Sequence, residues 1–424
     1  MTLEPVHMKA ISSMASSIDT SITEDEPDIA TSLFSLLQEL TYRGDTVLKS
    51  LEKLNRSKVS MDEMSLSRDN FSTTYSCDSG STNPIAFDNG TFVDFCHCAV
   101  ASTPTDPEIH RKRTIVAATY SPSMYSGIHA EHTWTYFDEG MGKKKIIKIQ
   151  PGLLNKRTRR MVHDIALYYA ESEHILWMIE EFDSNGFFIM DGPVYPKQLM
   201  YWMVVDSDDI QIRDDPNTKK ILQNYVDIMD HHIENRIPLI GFVKNPEDMQ
   251  IMRTIRREKK RSDVPWLLDA QFFKCVLSPP SHNKQNKAKL KRHITYTSWF
   301  LQPNQFYENM LKENSPLVDK SITHKFPCEY YALTFFMVYV PSMNTIFKIE
   351  APYGLTKDEE MRDMIKTKVL HDLSVNKIPL TLSKADSIAK IRLAERKQII
   401  RDFRSMRVDT EYNDIRWSET DEYR

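Results

Sequence analysis

Two short, uniformly apolar runs set between stretches of helical periodicity constrain this chain more than any other feature. The first is Gly186–Met190 in "NGFFIMDGPVYP"; the second, "IPLIGFV", covers 237–243. Such runs read as strands covered on both faces. A long helical pattern precedes the first, over about 156–183, and patterns near 196–206 and 217–235 separate the two. Strands that alternate with helices run parallel within one sheet. The first run ends on Asp191-Gly192-Pro193, which sets a carboxylate at the mouth of a buried strand ahead of two helix-breakers. Burying an unpaired charge is costly, so an acid at such a place is paired, hydrogen-bonded or holding a metal.

The rest of the chain fits around this alternation. Residues 5–55 read as helices, with Leu33, Leu36, Leu37 and Leu40 spaced i, i+3, i+4, i+7. A polar stretch at 60–91 gives way to β-rich segments at 91–102 and 113–121, and 122–150 reads as a hairpin or excursion. After the second buried strand a helix is expected to start near Pro246, with Asn245 placed to cap it. A basic, loop-like segment at 278–295 leads to strands at 330–340 and 344–352, helices over 357–374 and 383–405, and a charged tail. Adjacent β segments imply hairpins. The expected fold class is therefore α/β, a mixed sheet flanked by helices. An N-terminal helical region (1–65), a main domain (66–410) and a charged C-terminal tail (411–424) are the expected divisions.

Composition narrows the classes of function. With a net charge of −4, any nucleic-acid binding has to come from local patches. Two exist: "RTIRREKKR" (253–261), with Arg256, Arg257, Lys259 and Lys260, and "KQNKAKLKRH" (284–293), with Lys289, Lys291 and Arg292. Each is either a phosphate-tracking surface or an ordinary solvated face. Tyr296, Trp299 and Phe300 follow the second island and either stack on bases or sit in the core. The five scattered cysteines argue against a disulfide framework. In an alternating strand Cys96 and Cys98 share a face that His97 does not, and no second ligand pair completes a zinc site. The N-terminus lacks an apolar signal-like stretch, and the longest apolar run, 330–340, is too short to span a bilayer. A cytoplasmic protein with no membrane contact is expected. No phosphate-cradling GxxxxGK[ST] is present, so the chain does not power its own movement. His231 and His232, at a helix end, read as structural.

Several acids are placed to converge. Ligands of open α/β sheets sit beyond the carboxyl ends of strands, where Asp191 stands; the alternative is that Asp191 caps its turn. In the preceding helix, Val162, Ile165, Tyr169, Leu176 and Ile179 form an apolar stripe, and Glu173 falls inside it. Glu171 lies at the edge of the apolar face with Ile175 and Met178. Earlier, Asp78 ends an alternating segment in "TTYSCDSGSTNP". Its rival Asp88, in "FDNGTF", reads better as a hairpin-turn residue. Late in the chain Asp386 lies on a helix beside Ala385. Oxygen ligands from distant acids suit hard divalent ions such as Mg²⁺ or Mn²⁺, and phosphodiester cleavage is one reaction such a cluster supports.

The ordered set "CDSGSTNPIAFDNGTFVDFCHCAVAS", "YYAESEHILWMIEEF", "FIMDGPVYPKQLMYW", "IPLIGFVKNPED", "FFMVYVPSMNTIFKIEAPY" and "IPLTLSKADSIAKI" resembles the archaeal NurA nucleases, most closely their longer haloarchaeal-type members, from about residue 70 to 395. The resemblance implies a ribonuclease H-like core within 66–410 and a homodimer that encloses DNA. It also implies Mn²⁺-dependent nuclease activity (Mg²⁺ being possible), 5′→3′ on DNA ends and endonucleolytic on single strands. The implied partner is a HerA-type hexameric ATPase, in the resection of double-strand breaks. By the same resemblance the catalytic, metal-holding acids are Asp78, Glu173 (or Glu171, should the register slip), Asp191 and Asp386, with Asp88 an alternate. Lys244 matches a lysine that meets a phosphate. Asp386 stands where many members carry histidine, which leaves a catalytically weak or inactive DNA-clamping scaffold as the alternative, and a nuclease acting on RNA as a third.

Overall fold

The computed structural model describes residues 3–18, 26–122, 130–149, 158–197, 215–258, 264–278, 291–303 and 322–405. Its strands are β1 (Glu39–Tyr42), β2 (Asp45–Ser50), β3 (Arg56–Ser60), β4 (Thr73–Ser81), β5 (Ile85–Ala86), β6 (Phe92–Thr103), β7 (Arg113–Tyr120), β8 (Thr135–Phe137), β9 (Gly142–Ile149), β10 (Gly186–Asp191), β11 (Leu239–Val243), β12 (His293–Thr297), β13 (Phe300–Gln302), β14 (Leu333–Val340) and β15 (Thr345–Pro352). The longer helices are α1 (Pro5–Ser16), α2 (Glu26–Phe34), α3 (Thr158–Met178), α4 (Pro216–Asn235), α5 (Gln250–Glu258), α6 (Asp269–Leu277), α7 (Glu359–Asn376), α8 (Leu380–Ala389) and α9 (Leu393–Ser405).

All fifteen strands belong to one mixed sheet. At its centre the order is β7–β6–β4–β10–β11. Strands β4, β6 and β7 form an antiparallel meander, β10 runs parallel to β4, and β11 runs parallel to β10. This is the ribonuclease H-like arrangement, and helices α3 and α4 supply the crossovers that its parallel strands require. Beyond β11 the sheet continues antiparallel through β15 and β14; beyond β7 it ends in the β9–β8 pair.

Side-chain alternation along β4 and β6 sorts the two faces. Ser79 pairs with Cys98 and Gly80 with His97. The Ser79 side touches α3 through Glu171, and the His97 side touches α8, where its Nδ1 lies 2.9 Å from the Ala389 carbonyl oxygen. Cys96 and Cys98 are fully buried on the α3 face, as the alternation predicts. The main core packs Val162, Ile165 and Tyr169 of α3 against Cys98, Val100 and Val116 of the meander and Phe187–Met190 of β10. A second core lies between the N-terminal segment and α5 and α6, joining Leu33, Leu37, Leu40 and Leu48 to Ile251, Met252, Ile255, Phe272 and Phe273.

Three expectations need correction. The N-terminal region is not wholly helical: α1 and α2 are followed by β1, β2 and β3, which join the sheet through β13 and β12. The leucine stripe does form a buried face, but a 3₁₀ turn at Ser35–Gln38 ends the helix before Leu40, which lies in β1. The helix after β11 starts at Gln250, so Asn245 does not cap it. Asp269 caps it from α6 instead, accepting from the Ile251 and Met252 backbone N–H groups at 3.1 and 2.9 Å. The helix expected near 196–206 falls mostly outside the described residues. No helix among the described residues is long and apolar enough to cross a membrane.

Candidate functional site

Parallel pairing of β10 with β4 puts Met190 beside Cys77, so one step further along the two strands Asp191 and Asp78 stand together. Asp191 ends β10, and Gly192 follows with φ +120°, a conformation that favours glycine. The turn lies so close to β11 that a Cβ on Gly241 would come within 2.5 Å of the Val194 nitrogen and 2.7 Å of the Gly192 oxygen. Glu350, wholly buried on β15, accepts from the Val194 N–H at 3.3 Å and is paired with Lys197 and Lys348 at 2.5 and 2.9 Å. The turn that carries Asp191 is thus held from two sides.

Helix α3 brings Glu171 to the same place, where Ser79, next to Asp78, donates its hydroxyl to the Glu171 carboxylate. Burial, and then the charge of Asp191, push the Asp78 carboxyl up to about 7, against the pull of the Ser79 N–H; Asp386 raises it further and Lys244 lowers it. Burial, with the charges of Asp78 and Asp191 behind it, pushes Glu171 up to about 8 despite the Ser79 hydrogen bond. Lys244, just past β11, reaches Asp191 Oδ2 at 2.6 Å. Asp386 is exposed on α8 and close enough for its charge to be felt at Asp78.

Glu173 does not join this group. Its carboxylate accepts from Asn224 of α4 at 2.9 Å and lies 3.7 Å from the buried Lys143 ammonium and 3.9 Å from Lys220. It is a charge-paired residue between α3, α4 and β9, and the helical glutamate that meets Asp78 and Asp191 is Glu171. Ser79, which orients Glu171, went unnoticed in the sequence; alternation from Cys77 would have placed it on the helix-covered face. Asp88 lies exposed in the turn between β5 and β6, as its Asp-Asn-Gly context implies.

Among the described residues, one set of three His, Cys, Asp or Glu side chains has ligand atoms all within 4.8 Å of one another: Asp69, His371 and Asp372. Lys368 stands among them, 2.5 Å from Asp69 and 3.0 Å from Asp372, so this group is already partly neutralised. The oxygens of Asp78, Glu171 and Asp191 are gathered less tightly. Ser79 holds Glu171 and Lys244 holds Asp191.

The basic islands fare unevenly. Arg256 donates to the Val264 oxygen at 3.3 Å and to the Trp266 oxygen, tying α5 to the segment before α6, so its guanidinium is structural. Arg257, Lys291 and Arg292 are exposed, and Arg292 lies 3.7 Å from the exposed Asp62. Lys259, Lys260 and Lys289 lie outside the described residues. Trp299 and Phe300 are fully buried and cannot stack on bases; Tyr296 is partly buried. His232 is buried, with Nδ1 3.0 Å from the Ile237 oxygen, a structural role as expected.

Similar solved structures include the crystal structure of the NurA nuclease from Sulfolobus solfataricus, at 11% identity and a TM-score of 0.45, covering 94% of this chain and 96% of that one. Another is a crystal structure of NurA with manganese, at 10% identity and a TM-score of 0.40, covering 90% and 98%. No curated protein matches the sequence. The model of the NurA domain matches residues 73–391, from the first residue of β4 to just past α8. On that match, which spans most of its 424 residues, the chain belongs to the NurA domain family.

Proposed function

We propose that this chain is a divalent-metal-dependent nuclease acting on DNA, in which Asp78, Glu171 and Asp191 hold the metal and Asp386 completes the acidic rim. The observation that carries this reading is the meeting of acids from β4, α3 and β10, two of them held far above the ordinary carboxylate range by burial and mutual repulsion. Acids kept in that state at the end of a sheet mark a functional site. Their hard oxygens, short of positive charge, fit Mn²⁺ or Mg²⁺. A bound divalent ion supplies an activated water and neutralises charge on the phosphate under attack.

The chain's own residues prepare that chemistry. Ser79 orients Glu171, and the clamped turn after β10 fixes Asp191. Lys244, 2.6 Å from Asp191, puts an ammonium at the acid cluster where it would meet a phosphate held there. Action 5′→3′ on ends and on single strands, a homodimer around DNA, and partnership with a HerA-type ATPase are what the resemblance implies and are part of the same proposal.

The test is cleavage of end-labelled DNA with and without Mn²⁺. Asp191→Asn should keep the fold and DNA binding while cleavage falls more than about 100-fold, beyond the usual cost of losing a supporting side chain. EDTA should do the same to the wild type. Undiminished cleavage by the variant, or in EDTA, would overturn the assignment, and competition between matched DNA and RNA oligonucleotides tests the substrate. A second reading, a DNA-clamping scaffold, is favoured by the Lys244–Asp191 pair and by the looser gathering of the acid oxygens. It predicts DNA binding with no Mn²⁺-dependent cleavage at all.

A further inference from the structure

A second polar constellation lies on the same strand and helix as the acid cluster. Asp94 of β6 is fully buried, and its carboxylate is saturated: Ser81 donates to Oδ1 at 2.6 Å, Thr82 donates to Oδ1 at 3.0 Å, and His163 Nδ1 lies 2.8 Å from Oδ2. The Ser81 hydroxyl also lies 3.2 Å from His163 Nδ1. The imidazole is thereby fixed with Nδ1 inward, while its side chain keeps 27% of its surface open. Among the described residues Nε2 has no hydrogen-bond partner.

The placement of this dyad is set by geometry already described. Ser79 binds Glu171 and Ser81 binds His163, so strand and helix carry two matching contacts in register. Two residues of strand are about 7 Å, and the eight helical residues from His163 to Glu171 are about 12 Å. His163 therefore stands roughly 7–12 Å from Glu171, beside the last residue of β4. The rise of about 3.4 Å per nucleotide runs along the duplex axis and successive phosphates of one strand lie roughly twice as far apart, so 7–12 Å spans about one to two nucleotides.

We propose that His163, held by Asp94, binds a backbone phosphate of the nucleic acid about one to two nucleotides from the acid cluster. The proposal rests on the nuclease reading for its register but not for the existence of the contact. A buried carboxylate that fixes one ring nitrogen and turns the other outward is how a histidine is oriented toward a ligand. The hydrogen bond to Asp94 outweighs desolvation and favours the protonated ring, in which Nε2 is a donor suited to a phosphate oxygen. Among the described residues the other charged groups at hand are Asp164 and Arg160, which lie 3.8 Å apart on the same helix. A purely structural role, closing the end of the β4–β6 pair, would need the inward nitrogen only.

The experiment uses the full chain in two arms. In EDTA, fluorescence anisotropy with an eight-nucleotide single-stranded DNA gives Kd. With Mn²⁺, the same DNA carrying a neutral methylphosphonate at one linkage at a time gives KM and kcat, the product length fixing the register. His163→Ala should raise Kd and KM about tenfold, the scale of one charge-assisted hydrogen bond, with kcat changed less than threefold. One methylphosphonate position near the scissile bond should weaken the wild type by a similar factor and the variant by less than twofold. His163→Gln, which keeps bulk but not charge, should behave alike and serves if the alanine variant does not fold. Unchanged Kd in a folded variant, or penalties that multiply at every linkage, would overturn the proposal. Absence of cleavage by the wild type would sink the nuclease reading while leaving the EDTA arm to decide on His163.

Discussion

Glu171 and Glu173 stand two positions apart on α3 and meet opposite surroundings. The first faces Ser79 and two other acids, the second Lys143 and Asn224. Helical periodicity favoured Glu173, inside the apolar stripe, over Glu171 at its edge, and chose the wrong one because α3 is buried twice, against the sheet and against α4. The choice depended on which face meets which neighbour, and that is tertiary information. The two environments predict opposite phenotypes. Glu171→Gln should cut Mn²⁺-dependent cleavage more than about 100-fold yet stabilise the metal-free protein, since it removes a carboxyl whose ionisation burial and its acidic neighbours oppose. Because the Glu171 and Asp78 carboxyls are raised to about 8 and 7 when folded, the unfolded chain gives up these protons first. Their contribution to stability is therefore full below about pH 4 and is lost as pH rises through 7–8. Melting temperature in EDTA should show that descent in the wild type, and less of it in Glu171→Gln. Glu173→Gln should instead leave the buried Lys143 without its counter-charge and cost about 3–5 kcal/mol, with kcat within tenfold of wild type. Activity assays and thermal melts on the two variants would expose an inverted assignment at once.

At the level of elements, the strands were more legible than their surroundings. Uniform apolar runs located β10 and β11, and alternation located β6 and its facing of Cys96, Cys98 and His97, since both patterns follow from burial on known sides of a pleat. The start of α5 was not legible, because its cap comes from Asp269, nineteen positions after Gln250. Nor did the sequence reveal how firmly the Asp191 turn is seated. Met190 pairs with Gly241 across the strands, and the turn folds back over that glycine. Gly241→Ala should therefore destabilise the fold by about 1–3 kcal/mol, as overpacking does. It should also weaken Mn²⁺ binding more than tenfold, because the backbone it strikes is that of the residues following Asp191. Calorimetric titration with Mn²⁺ beside a thermal melt checks both; a variant that melts early but binds the ion normally would show that the turn relaxes without moving the acid.

For the whole molecule, the decisive departure from sequence-based expectation is the N-terminal sixty residues. They were read as helices appended to the catalytic domain, yet β2 and β3 pair with β13 and β12, from the far end of the chain, and the leucines of α2, β1 and β2 complete the second core. Strands β1–β3 are short and polar on their exposed sides, so neither alternation nor composition announced them. α1 is different: it buries no residue and exposes Val6, Met8, Ile11 and Met14. Two deletions separate these roles. Removing residues 1–18 should leave the melting temperature within about 2 °C of wild type, since no packed surface is lost. Removing residues 1–60 takes away Leu33, Leu37, Leu40 and Leu48, each worth about 2–5 kcal/mol when buried, which together rival the 5–15 kcal/mol that keeps a typical domain folded. It also strips the edges of β12 and β13, which then offer unpaired backbone to other chains. Size-exclusion chromatography should find that fragment aggregated. A soluble, monodisperse 61–424 fragment with an unchanged melt would mean that the first sixty residues are an appendage after all, and that the catalytic core closes its sheet without them.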